Sequence, residues 1–224
     1  LETRLLLFVV AGGATTALFY FSLRMAQRGL APVHWTVPAN NAGAAGIVNL
    51  TVLIRHLTLP FAIVIGLGVG LGASGAGDTV QLWLHATPFG VVDTVRGRDV
   101  GFYVFTLPLL DMVMGLLHGL AIFMLIALIP IYALRGDIIP TPPRKLRIEP
   151  SAAMHLAILL AIIFALTAVQ LWWVDIPNLL YSTTGPLVGA SYTDLHATLP
   201  MLRLSALVAV AGAVRPRRDR PRDR

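Results

Sequence analysis

Uncharged apolar runs of about twenty residues recur along the chain, separated by polar stretches rich in proline and glycine. A helix rises ~1.5 Å per residue, so about twenty residues cross a hydrocarbon core ~30 Å thick. The pattern predicts five spans, at about 5–23, 57–77, 108–134, 152–174 and 195–214. Pro60 falls in the first turn of the second span, where proline is tolerated. Trp172 and Trp173 close the fourth at the depth of an aromatic belt. The fifth reaches full length only if it starts near Asp194, because Leu204 to Val214 alone is too short. Between the spans, residues 30–55 read as a loop followed by a short interfacial helix. Residues 78–101 and 175–200 read as loops, and Pro140, Pro142 and Pro143 keep residues 135–150 out of regular helix. The expected fold is all-α, a polytopic transmembrane helix bundle with two extracytoplasmic loops.

Composition agrees. Only 12% of residues are charged and 56% are hydrophobic, with a mean hydropathy of +0.76, where a soluble domain carries about 25% charged residues. The net charge of +6 comes largely from the low-complexity tail, residues 215–224. That tail is expected to meet anionic headgroups rather than nucleic acid. The chain has no cysteine, which excludes disulfides and thiolate chemistry. It begins with Leu1, as expected of a fragment or a clipped start. Arg24, Arg28, Arg55, Arg135, Arg144, Lys145, Arg147 and the tail fall on one side of the predicted spans. By the positive-inside rule that side is cytoplasmic and the chain is a multi-pass protein of the cell membrane.

Ionisable residues at membrane depth are the usual pointer to function, and three qualify. Asp111 lies one turn into the third span, where the helix dipole and interfacial water can satisfy it. His118 sits deeper, either as a neutral histidine bonded to a neighbouring helix or as a proton relay. Arg203 is buried if the last helix starts at Asp194 and snorkels outward if it starts at Pro200; if buried, Asp111 is its expected acidic partner. Pro88 to Pro108 is the densest chemistry in the chain. Its residues Asp93, Arg96, Arg98, Asp99, Phe102 and Tyr103, with Tyr192 and Asp194 of the later loop, are candidates for an outer docking surface. Arg96 or Arg98 is expected to pair with Asp175 or Asp194 and tie the two loops into one cap. Gly70 to Gly75 satisfies GxGxxG, but a dinucleotide site needs a βαβ unit around it. The overlapping GxxxG spacings of Gly66, Gly68, Gly70 and Gly72 point instead to close helix packing. Ser191, Asp194 and His196 lie too close in sequence for a hydrolase triad, and helix capping by Thr193 or Asp194 is the expectation. No metal, cofactor or catalytic residue is expected.

Pro88-Phe89-Gly90, Asp93, Gly97, Asp99 to Phe105 with Leu107-Pro108, and Gly189 to Asp194 with Ala197 and Leu199-Pro200, resemble the bacterial uncharacterised protein family 0182. The resemblance implies about seven spans followed by a large extracytoplasmic domain, with this chain lacking the first span, and it supplies no activity. The expected function is a non-enzymatic membrane module that anchors or positions an extracytoplasmic domain or partner. The alternative is a transporter or channel component in which Asp111, His118 and Arg203 share a polar pathway. The expected partners are the lipid bilayer and another membrane or extracytoplasmic protein.

Overall fold

The computed structural model describes residues 2–28, 30, 34–37, 46–93, 96–141, 145–180 and 189–214. The tail 215–224 lies outside the described residues, as do residues 181–188 of the second loop. The fold is all-α, and among the described residues five helices are long and apolar enough to cross a membrane: Glu2–Ala26, Leu50–Gly75, Phe102–Arg135, Pro150–Leu180 and Asp194–Val214. We number the α-helices α1 (Glu2–Ala26), α2 (Leu50–Gly75), α3 (Gly77–Leu84), α4 (Leu107–Arg135), α5 (Pro150–Gln170), α6 (Ile176–Leu180) and α7 (Leu199–Val214). Two antiparallel hairpins complete the described elements: β1 (His34–Val37) with β2 (Gly46–Asn49), and β3 (Ile138–Thr141) with β4 (Lys145–Ile148). The chain divides into two compact units, Leu1–Gly75 with Phe123–Leu156, and Ala76–Ile122 with Ala157–Arg224.

In the first unit the glycines decide the packing. An added Cβ on Gly12 would come within 2.8 Å of the Gly66 carbonyl oxygen, and one on Gly70 within 2.8 Å of the Phe8 carbonyl. Backbone therefore meets backbone between α1 and α2, which only small residues permit. Gly68 and Gly72 face open space, so one of the two overlapping GxxxG spacings packs and the other does not. Deeper in this unit Phe123 stands between Phe19 and Phe61, with ring centroids 6.0 and 6.2 Å away. At the far end of α4, Gly136 takes a positive φ of 80° and turns the chain into the β3–β4 hairpin. Arg135 there bonds the Ala26 carbonyl at 3.2 Å and pairs with Asp137 at 3.0 Å.

In the second unit three of the spans share one local device. Residues Phe102–Thr106, Leu171–Asp175 and Asp194–Thr198 are π-helical turns. Each is followed at the second position by a proline: Pro108, Pro177 and Pro200. A proline inside a helix has no N–H to give, and its ring presses on the carbonyl four residues back. Widening the preceding turn relieves that clash, and the N–H groups of Leu107, Ile176 and Leu199 reach back five residues to the carbonyls of Phe102, Leu171 and Asp194. The helices therefore run on through residues that read as loop.

Three sequence expectations are corrected. The interfacial helix expected before residue 56 is the opening of α2, which starts at Leu50 directly after a hairpin. At 26 residues α2 is about 39 Å long, enough to carry Arg55 and His56 beyond a ~30 Å core. The Asp78 end of the first loop is α3, which carries Asp78 in its first turn, where the helix dipole favours an acid. Residues 175–180, expected in the second loop, are helical, because the π turn accommodates Pro177. The helix that follows the glycines of Gly70 to Gly75 completes no dinucleotide site, since those glycines lie within α2 and not in a turn between a strand and a helix.

Candidate functional site

The segment 87–103 is built around two carboxylates. Asp99 accepts three backbone N–H groups: Phe89 at 3.0 Å and Gly101 at 2.7 Å on one oxygen, Gly90 at 2.8 Å on the other. These bonds favour the ionised form and hold the carboxyl below the ordinary aspartate range, the Phe89 N–H acting most strongly, then that of Gly101. Gly101 must be glycine, because a Cβ there would lie 2.8 Å from the Asp99 carboxylate and 3.0 Å from the Thr87 carbonyl. Asp93 accepts the Arg96 N–H at 2.8 Å and the Tyr103 hydroxyl at 3.1 Å. Between the two acids, Val92 and Asp99 form an antiparallel bridge, closed by Asp93 N–H to the Arg98 carbonyl at 2.7 Å and Val100 N–H to Val91 at 2.9 Å. Gly90 and Gly97 turn the chain at φ of 72° and 64°.

Two arginines fasten this segment to the π turn 171–175. The Arg98 guanidinium lies 4.4 Å from the ring centroids of both Phe102 and Trp173. Each such cation–π contact contributes about 0.5–1 kcal/mol when exposed. Arg96 sits over Trp172 at 5.8 Å and donates to its carbonyl oxygen at 3.1 Å. The availability of that carbonyl follows from the helix itself. Its α-helical donor, the N–H of Ile176, bonds Leu171 instead, and the next residue, Pro177, has no N–H. Arg96 takes the oxygen that the proline and the π turn leave over. Burial, followed by the nearby charge of Arg98, holds Arg96 below the ordinary arginine value, and it remains charged at neutral pH. Below the fastening, Tyr103, Leu107 and Val174 form a buried cluster with Phe102, Leu110 and Met114 against it.

The expected ties between loops are corrected accordingly. Neither Arg96 nor Arg98 pairs with an aspartate of the second loop. Asp175 accepts from Gln170 at 3.2 Å, while Asp194 bonds the Ser191 N–H at 2.9 Å and its hydroxyl at 2.8 Å. The Asp194 N–H returns to Ser191 Oγ at 3.2 Å. This reciprocal arrangement is a capping box, so the cap is Ser191 with Asp194, and Thr193 makes no side-chain capping bond. His196 stacks on Tyr192 with centroids 4.0 Å apart and takes no part in a triad.

Of the three intramembrane candidates, two meet the same neighbour. Asp111 accepts from Gln170 at 3.3 Å, and His118 lies 3.2 Å from Thr167 Oγ1. Arg203 does not pair with Asp111: the last helix does start at Asp194, yet the Arg203 side chain is exposed, and it acts on Arg96 as a like charge. The three therefore do not converge. A polar chain that the sequence reading did not single out lies in the first unit. The Tyr132 hydroxyl is 2.7 Å from His155 Nδ1, and His155 Nε2 is 3.2 Å from Ser22 Oγ, linking α1, α4 and α5. Its signal was available, because His155 falls inside an apolar run, where an ionisable group needs partners. Among the described residues no group of three or more His, Asp or Glu side chains is placed to hold a metal.

The fold and this site define a polytopic membrane-helix protein with a cross-braced segment at one end of its spans. Residues 1–215 match the uncharacterised protein family UPF0182, and the chain belongs to that family. It is 34% identical over 213 residues to a UPF0182 protein of Cupriavidus necator, covering 94% of this chain and 23% of the relative. To a UPF0182 protein of Mycobacterium marinum it is 33% identical over 216 residues, covering 94% of this chain and 21% of the relative. A UPF0182 protein of Frankia alni is 33% identical over 162 residues, 72% of this chain and 16% of the relative. The chain thus spans less than a quarter of the length of these relatives. No solved structure matches it.

Proposed function

We propose that this chain is a non-enzymatic, multi-pass module of the cell membrane whose segment 87–103 is a rigid outer platform for positioning an extracytoplasmic part of the protein or a partner. The observation that carries this reading is the fate of the segment's polar groups. Asp93 and Asp99 are committed to backbone N–H groups and Tyr103, and Arg96 and Arg98 to Trp172, Trp173 and Phe102. Most of the residues expected to dock a partner therefore build the platform instead of facing outward. What it offers is apolar: Val91 and Val92 are 61% and 57% exposed, and Phe89 is 54% exposed. Exposed apolar groups on a rigid support are what a docking surface requires. The uneven distribution of Lys and Arg supports an extracytoplasmic side for this segment.

A photo-crosslinking residue at Val92 tests the reading in cell membranes. Discrete protein adducts are expected, and they should disappear with Asp99→Ala, which releases the loop. Lipid adducts alone would overturn it. The transport alternative draws on the contacts of Asp111 and His118 with one neighbouring span, but Arg203 does not join them, which favours the positioning role.

A further inference from the structure

We propose that α3 is a membrane-surface anchor, with Val80, Trp83 and Leu84 seated at the boundary between headgroups and acyl chains. At 100° per residue Val80, Trp83 and Leu84 share one side of α3, while Asp78, Gln81 and His85 share the other. Trp83 and Leu84 are 42% and 61% exposed, and Leu82, which borders the polar side, is 58% exposed. On the apolar side the large side chains of Trp83 and Leu84 lie open outside any span, and this needs an occupant.

Position selects lipid. Within its own unit α3 packs against the π turn Phe102–Thr106, which opens the third span. The helix is thus held at the level where a span enters the membrane. An amphipathic helix at that level lies along the boundary with its apolar side down, and tryptophan is enriched there. Its end is prepared for poor hydration. His85 donates both its backbone N–H, at 3.1 Å, and Nδ1, at 2.8 Å, to the Gln81 carbonyl, and the Ala86 N–H reaches the Trp83 carbonyl at 3.2 Å. Backbone groups left open near the hydrocarbon would be costly.

The anchor rests on the spans and not on the docking role of Val91 and Val92, and a label at Arg147→Cys, whose side chain is 75% exposed, serves as a second water reference, so the two can fail separately. The cysteine-free chain allows single nitroxide labels through Leu84→Cys and Gln81→Cys in the chain reconstituted in phosphatidylcholine–phosphatidylglycerol vesicles. Collision with oxygen, which concentrates in lipid, is compared with collision with a water-soluble nickel chelate. The oxygen-to-nickel ratio should be severalfold higher at position 84 than at 81, with a label at Val92→Cys as the water reference. Equal, water-like ratios at 84 and 81 would overturn the anchor. So would a label at 84 shielded from both reagents, which would mean that protein rather than lipid covers this face.

Discussion

Gly66→Ala should separate α1 from α2 and destabilise the protein in detergent by about 1–3 kcal/mol, the usual cost of overpacking. The added methyl would overlap Thr16 Oγ1 and lie 2.6 Å from the Gly12 carbonyl oxygen. Thr16 cannot move aside freely, because its hydroxyl donates to that same carbonyl at 2.8 Å. The carbonyl is backbone and cannot yield without shifting α1. Gly68→Ala, two residues on, meets nothing within 4 Å and should gain up to about 1 kcal/mol of helix propensity. Opposite shifts in the thermal midpoint for these two variants are the expected result. Equal effects would mean that α1 and α2 do not meet through Gly66.

Asp99→Ala should open the platform from its base. Three N–H groups lose their acceptor at once, and the Val92–Asp99 bridge loses the residue that braces it. Amide hydrogen exchange at Phe89, Gly90 and Gly101 should accelerate strongly, with a smaller rise at Val100. The same bonds set a pH dependence. Because the folded carboxyl titrates below its ordinary value, its contribution is fully present above the unfolded pKa of about 3.9. It is lost as pH falls through the lower folded value. Wild-type exchange at these three amides, corrected for intrinsic rates, should therefore rise in acid and stay flat from pH 5 upward. The Ala variant should show no such acid step.

The spans were legible because nothing but membrane explains repeated uncharged runs of that length. Their ends were not. Pro177 fell in the loop expected from Asp175, yet one extra residue in the preceding turn lets the helix continue to Leu180, and that adjustment leaves no trace in hydropathy. The arginine partners were misjudged for the same reason. Opposite charge suggested Asp175 and Asp194, whereas the acceptor at Arg96 is the Trp172 carbonyl, freed by a proline five residues later. Asp93 and Asp99 lie in the densest chemistry of the sequence, but their spacing to Phe89, Gly90 and Gly101 is created by a bridge and two positive-φ glycines that no periodicity announces. Arg203 and Asp111 were linked by charge and depth alone, and the side chains that pack between helices chose Gln170 instead.

Single cysteines at Val92 and Leu146, both exposed and on opposite sides of the proposed topology, test the whole arrangement most directly. In intact cells a membrane-impermeant thiol reagent should label Cys at Val92 within the time that it leaves Cys at Leu146 unmodified, and permeabilisation should expose the second site. Labelling at Leu146 alone, or at both positions before permeabilisation, would contradict a membrane module that holds residues 87–103 outside.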